Sequence, residues 1–284
     1  MVTDTRVRRN EGSILGVGRV RLQYRTWEVP GARAGIVVVH GLGEHSGRYE
    51  GFGARMADYG FSTFAMDLRG HGLSDGRRGH VPTFDALLQD VDRFRREVQG
   101  LADVRAPLFV LGQSMGGLIA LRYQEEYSNA FHGAIIVSPW LATALPVPRW
   151  KITLANLVAP ALPALPVHNG IDASHLSHDP DVVRAYRFDP LVHYRITPRL
   201  FVEASRAMGL VLQRADRLTG PLLFLIAGDD RLVDSRKSLQ FARQLPADLT
   251  TIRHYPGMYH EVLNEVERTL PQRDVRDWIA ARIR

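Results

Sequence analysis

The sequence predicts a doubly wound α/β sheet interrupted by one helical insertion, and three observations carry that reading. Short, continuously apolar runs recur at 35–40 (GIVVVH), 61–67 (FSTFAMD), 107–112 (PLFVLG), 133–139 (GAIIVSP) and 221–230 (PLLFLIAGDD). Unbroken apolar strands belong to a parallel sheet covered on both faces. Helical patterns separate these runs, and the alternation lapses from 139 to 219, where proline, aromatic and aliphatic residues mix without a clear strand.

The elements follow in order. Residues 11–29 hold two β-rich runs around Gly16 and Gly18, an opening hairpin. Helices are predicted at 48–59, 84–99, 115–128 and 235–245, the second with apolar residues at three-to-four spacing. A further strand at 249–255 and a last helix at 272–284 bring the predicted sheet to eight strands, mostly parallel and flanked by helices. Long loops without structure of their own are uncommon in compact domains, so 139–219 is expected to be a helical cap; residues 1–138 and 220–284 form the core.

Composition narrows the function. The chain has 284 residues, 45% hydrophobic and 23% charged, enough to bury one large core. It has no cysteine, which removes disulfides, thiolate chemistry and cysteine metal sites. Together with an N-terminus, MVTDTRVRRN, that does not read as a secretory signal, this makes the cytoplasm the expected location. The apolar stretch 157–167 is broken by three prolines and is too short to span a bilayer. The net charge is +6, but the basic residues are scattered, so no nucleic-acid partner is expected. Attraction to an anionic lipid surface is the more fitting use of that charge.

The chemistry centres on GQSMG, where Ser114 is flanked by glycines at −2 and +2 between a predicted strand and helix. Such a sharp strand-to-helix turn resembles the nucleophile elbow of α/β-hydrolases. A serine hydroxyl needs a base to take its proton, and in this fold acid and histidine follow the serine. After the strand at 221–227, Asp229 and Asp230 are equal candidates for the acid, with Asp234 a third. Of the two histidines beyond, His254 falls within a strand-like run where packing is its expected role. His260, in the loop PGMYH, is the expected base. Oxyanion donors are expected from the backbone N–H groups of Met115, after the serine, and of Leu42 in the loop HGLG. His40 should orient that loop, and His71 is expected to be structural. No metal or other cofactor is implied.

The motifs HGLGEHSGRY at 40–49, DLRGHGLSDG at 67–76, GQSMGG at 112–117, GDDRLVDS at 228–235 and PGMYHEVLNE at 256–265 together resemble the monoacylglycerol lipase and lysophospholipase group of the α/β-hydrolase fold. The resemblance selects Asp230, which precedes the Arg-Leu-x-Asp pattern and stands 30 residues before His260. It implies a serine hydrolase that cleaves a lipid-like ester, a monoacylglycerol first, through an acyl-enzyme. A broad esterase, lysophospholipase or thioesterase would use the same residues, and a non-catalytic binding protein of this fold is the distant alternative. Leu145, Trp150, Ile152, Leu154, Leu157 and Val158 then become the expected lining of an acyl tunnel, or else the cap's own core. Glu44, Arg48 and Tyr186 become the expected polar end for the alcohol, or, for the first two, a loop ion pair. Transient contact of the cap with a membrane surface fits such a substrate. The cap is unusually rich in proline, at 146, 148, 160, 163 and 166.

Overall fold

The chain opens with an antiparallel hairpin of β1 (Arg8–Leu15) and β2 (Arg21–Glu28). It runs on through β3 (Ala34–Val39), α1 (Glu50–Asp58), β4 (Phe61–Met66), α2 (Phe84–Leu101), β5 (Leu108–Gln113), α3 (Met115–Glu126) and β6 (Gly133–Val137). An insertion follows, comprising α4 (Arg149–Val158), β7 (Val167–His168), α5 (Pro180–Phe188), β8 (Arg195–Ile196) and α6 (Pro198–Gln213). The chain closes with β9 (Leu222–Ala227), α7 (Ser235–Gln244), β10 (Thr250–Tyr255) and α8 (Thr269–Ala280). This computed structural model describes residues 7–101 and 106–283. Residues 1–6, part of the segment read for a secretory signal, and 284, the end of the predicted last helix, lie outside them.

Eight strands form one sheet in the order β1-β2-β4-β3-β5-β6-β9-β10, parallel from β4 to β10. Every residue of β3, β5 and β9 is buried, which explains why these strands read as continuous apolar runs. Alternate residues still divide between two faces. Ile36, Val38, Phe109 and Leu111 pack with α1 and α8, whereas Val37, Val39, Val110 and Phe224 pack with α2, α3 and α7. Among the described residues no helix is long and apolar enough to cross a membrane.

Four details differ from the sequence reading. The insertion contains a two-stranded ribbon, β7 with β8, too short to leave a periodic signal. Its last helix, α6, buries Leu200, Ala204, Ala207 and Val211 in the same cluster as α3, so it belongs to the main core as well. The last helix starts at Thr269, because Pro271 falls in its first turn, where a missing N–H costs nothing. His254, expected to pack, is exposed, because β10 is the sheet's edge strand. Two of the insertion's prolines bound α4: Pro148 stands immediately before its first residue and Pro160 shortly after its last.

Candidate active site

Ser114 joins β5 to α3 with φ 55° and ψ −114°, a backbone conformation that side chains rarely adopt. The two glycines of the motif permit it. A Cβ on Gly116 would run into the carbonyl of Val39, and one on Gly112 into the carbonyl of Gly116. The turn is pinned to the neighbouring strand: Ser114 N donates to Val137 O (2.9 Å), and Trp140 N donates to Ser114 O (3.0 Å). Met115 opens α3, so its N–H is one of the first-turn amides without a carbonyl partner in the helix.

Past β9 the two aspartates part ways. The Asp230 side chain is fully buried; its Oδ1 accepts the N–H groups of Leu232 and Val233 (both 2.9 Å), and its Oδ2 lies 2.7 Å from His260 Nδ1. The Asp229 side chain is half exposed and pairs with Arg231. Asp234 caps α7. Burial pushes the imidazole of His260 down, but the carboxylates of Asp230, Glu261 and Glu44 outweigh it, and the net shift is upward. The loop is fixed on both sides of the ring: Tyr259 N donates to the buried Glu265 carboxylate (2.7 Å), and Gln113, next to Ser114, donates to His260 O (3.2 Å).

The loop after β3 comes from the adjoining strand. His40 accepts from Leu68 N at Nε2 (2.9 Å) and donates from Nδ1 to Gly41 O (2.7 Å), so it orients the loop. Burial lowers its basicity. Gly43 has φ 84°, and its carbonyl accepts His193 N (2.9 Å) from the insertion; a Cβ there would press on the His193 carbonyl. Glu44 Oε1 accepts Gly41 N (2.6 Å). Arg48 donates to Glu44 (2.9 Å) and, through both terminal nitrogens, to Glu261 (2.5 and 2.8 Å), while its guanidinium stacks on the Tyr186 ring at 4.7 Å. These side chains are more than nine-tenths buried, unlike a surface loop pair. His71 is buried, its ring tilted against those of His40 and His193 on either side.

A cavity of about 670 Å³ opens onto Ser114, with Gly41, Leu42, Gln113 and His260 in its wall. Leu145, Trp150, Leu154 and Val158 line it, as do Glu44 and Tyr186. Three expected residues do not. Ile152 lies on the opposite side of α4 from Trp150, Leu154 and Val158, whereas Leu157 shares their side of the helix but is 72% exposed and outside the wall. Arg48 stands behind the wall, held by its two carboxylates.

A family model described as serine aminopeptidase, S33, matches residues 30–267. The chain is 35% identical to a monoacylglycerol lipase of Mycolicibacterium smegmatis over the full length of both. It is 30% identical to phospholipase YtpA of Bacillus subtilis, over 86% of this chain and 93% of that one. The crystal structure of a Paleococcus ferrophilus monoacylglycerol lipase superposes with a TM-score of 0.84 at 32% identity, covering 92% of this chain and 99% of that one. The chain belongs to the serine aminopeptidase S33 family. With these lipase relatives it is an α/β-hydrolase and an enzyme, a carboxylic ester hydrolase. The wall of this S33 cavity also includes Trp140, Val147, Leu165, Ile171, Phe201 and Glu261, none of them picked out by the sequence reading. Most come from separate loops and leave no period along the chain. Glu261 directly follows His260, a position that would have drawn attention to it.

Proposed function

We propose that the protein hydrolyses monoacylglycerols to fatty acid and glycerol, with Ser114 as nucleophile, His260 as general base and Asp230 as the carboxylate that orients it. The observation that carries this reading is the large, mainly apolar cavity whose wall includes Ser114 and His260, where an acyl chain would lie. Ser114 Oγ attacks the ester carbonyl as its proton passes to His260 Nε2. The N–H groups of Leu42 and Met115 receive the oxyanion. The imidazolium, steadied by Asp230 at Nδ1, returns the proton to the departing glycerol oxygen. Water then repeats the cycle on the acyl-enzyme and releases the fatty acid.

The family description names a peptidase, but an aminopeptidase needs a free carboxylate for the substrate's ammonium group. Glu44 and Glu261 are both committed to Arg48, which supports the ester reading. A second reading, cleavage of a lysophospholipid, draws on Lys151 and Arg231 in the cavity wall, two cations suited to a phosphate head group, and on the similarity to a phospholipase. Residues 139–219 would act as the cap over the site. Leu145 is 82% exposed and Leu157, Trp150 and Leu162 are exposed too, an apolar face that fits contact with a lipid surface where the substrate resides. The cysteine-free composition supports work in the cytoplasm, which fractionation would check.

Turnover of monoacylglycerols of graded chain length, compared with lysophospholipids and short nitrophenyl esters, tests the assignment. A long-chain monoacylglycerol should give the highest kcat/KM. Preference for an acetyl ester over every longer monoacylglycerol would overturn it, and preference for the lysophospholipid would favour the second reading.

A further inference from the structure

We propose that Arg48 and Glu261 form a positioning clamp that holds the oxyanion loop and the histidine loop at one fixed separation, and that neither residue contacts the alcohol of the substrate. The inference rests on the serine-hydrolase reading above but not on the identity of the ester.

One guanidinium reaches three elements. It pairs with Glu44 (2.9 Å), whose other oxygen takes Gly41 N (2.6 Å), the amide two residues from Gly43 in the loop that carries Leu42. It forks onto both oxygens of Glu261 (2.5 and 2.8 Å), the residue bonded to His260. It stacks on Tyr186 of α5, in the insertion. Glu261 N in turn donates to Leu176 O of the insertion (2.8 Å), and Asn264 donates to Glu261 Oε2 (3.0 Å). Tyr49 OH adds a bond to Glu44 Oε1 (3.2 Å). The donors and acceptors of the cluster are therefore spent on one another, and little is left for a substrate hydroxyl. A planar fork is what this geometry uses; a lysine ammonium could not serve both carboxylates in these directions and also lie flat on the ring.

Acyl transfer requires the proton acceptor and the oxyanion donors to be placed together around one carbonyl, and a misplacement of about 1 Å costs on the order of 100-fold in rate. β3 supplies one loop and the segment after β10 supplies the other, and the two strands lie at different places in the sheet. A buried, bidentate pair between the loops sets their distance, whereas burial alone would let them slide.

The test uses the full-length protein and the variants Glu261→Gln, Arg48→Lys and the double variant, the lysine being chosen so that the pocket keeps its cation. Two readouts are taken: the second-order rate of Ser114 labelling by a fluorophosphonate, which carries no glycerol, and kcat and KM on a monoacylglycerol and on the methyl ester of the same acid. Each single variant should slow labelling and lower kcat on both esters about 10- to 100-fold, with KM nearly unchanged. The double variant should be no worse than the poorer single one, because both remove the same clamp. In Glu261→Gln the acid limb of the pH–rate profile should also move to lower pH, since a carboxylate that supports the imidazolium is gone. Losses confined to the glycerol ester, with methyl ester and labelling at wild-type rates, would overturn the clamp and make these residues head-group contacts. Multiplicative losses in the double variant would also overturn it. A wild type that labels but cleaves no monoacylglycerol defeats the substrate reading alone, because the labelling rates still decide the clamp. A variant with a collapsed thermal melt is replaced by Glu261→Asp, which keeps the charge one methylene short and should show the same losses in weaker form.

Discussion

Ser114→Ala removes the proposed nucleophile without adding bulk at the strained elbow, so fluorophosphonate labelling and hydrolysis should both vanish while the thermal melt stays near that of the wild type. Asp230→Asn keeps the shape but presents an amide to His260 Nδ1 and to the amides of Leu232 and Val233; kcat should fall by about 10³- to 10⁴-fold. Asp229→Asn alters a half-exposed group and should leave kcat close to wild type. Steady-state kinetics on the two asparagine variants compares the neighbours directly; the reverse order would show that the wrong aspartate is paired in the working enzyme. His260 must be neutral to accept a proton, and its basicity is raised above the ordinary histidine value of 6.5. The acid limb of kcat/KM should accordingly have its midpoint above 6.5, with activity lost below it.

At the scale of elements, the elbow and α4 make opposite demands. Gly112→Ala and Gly116→Ala place a methyl against backbone, which cannot swing aside as a side chain would. Each should cost at least about 1–3 kcal/mol, read as a lower melting temperature, and reduce labelling of Ser114. On α4 the faces should separate: Leu154→Ala removes cavity wall and should lower kcat/KM for long-chain esters about tenfold, whereas Ile152→Ala should leave it within about twofold. The elbow was legible because its rule is local, two glycines around a serine between strand and helix. The α4 face was not, because six apolar residues near one helix say nothing about which side meets Ser114. The start of α8 and the exposure of His254 escaped for related reasons, a proline tolerated in a first turn and a strand whose place at the sheet edge is decided by pairing.

The whole molecule responds to acid through its buried histidines. Burial lowers the basicity of His40, His71 and His193, that of His193 to about 4 from 6.5. Groups depressed in this way take up protons sooner when unfolded, so they contribute stability above pH 6.5 that drains away as pH falls toward about 4. The raised His260 acts in the opposite sense, its contribution being complete below 6.5 and lost as pH rises through its folded value. With His40, His71, His193 and the partly buried His80 all depressed against His260 raised, the melting temperature should drop between pH 6.5 and 4, and His193→Gln should flatten that drop. A melting temperature constant over this range would refute the assignment of neutral histidines to the seam where His193 of the insertion meets His71.

The amino-acid sequence by itself determined the alternation of buried strands and helices, the break at 139–219, the strained serine turn, and a short set of acids and histidines in the loops after it. Each of these follows from rules that act over a few residues: apolar period, turn chemistry and the freedom of glycine. The tertiary structure shows how Asp230, which only the motif resemblance singles out over Asp229, turns inward to His260; folding alone decided that four of the six apolar residues at and near α4 face one cavity, and that Arg48 is spent between Glu44 and Glu261 instead of standing open to a ligand. Those choices depend on where segments far apart in the chain come to rest against each other. Neighbouring residues with the same chemistry then end up with opposite surroundings, which local rules of turn and period do not distinguish.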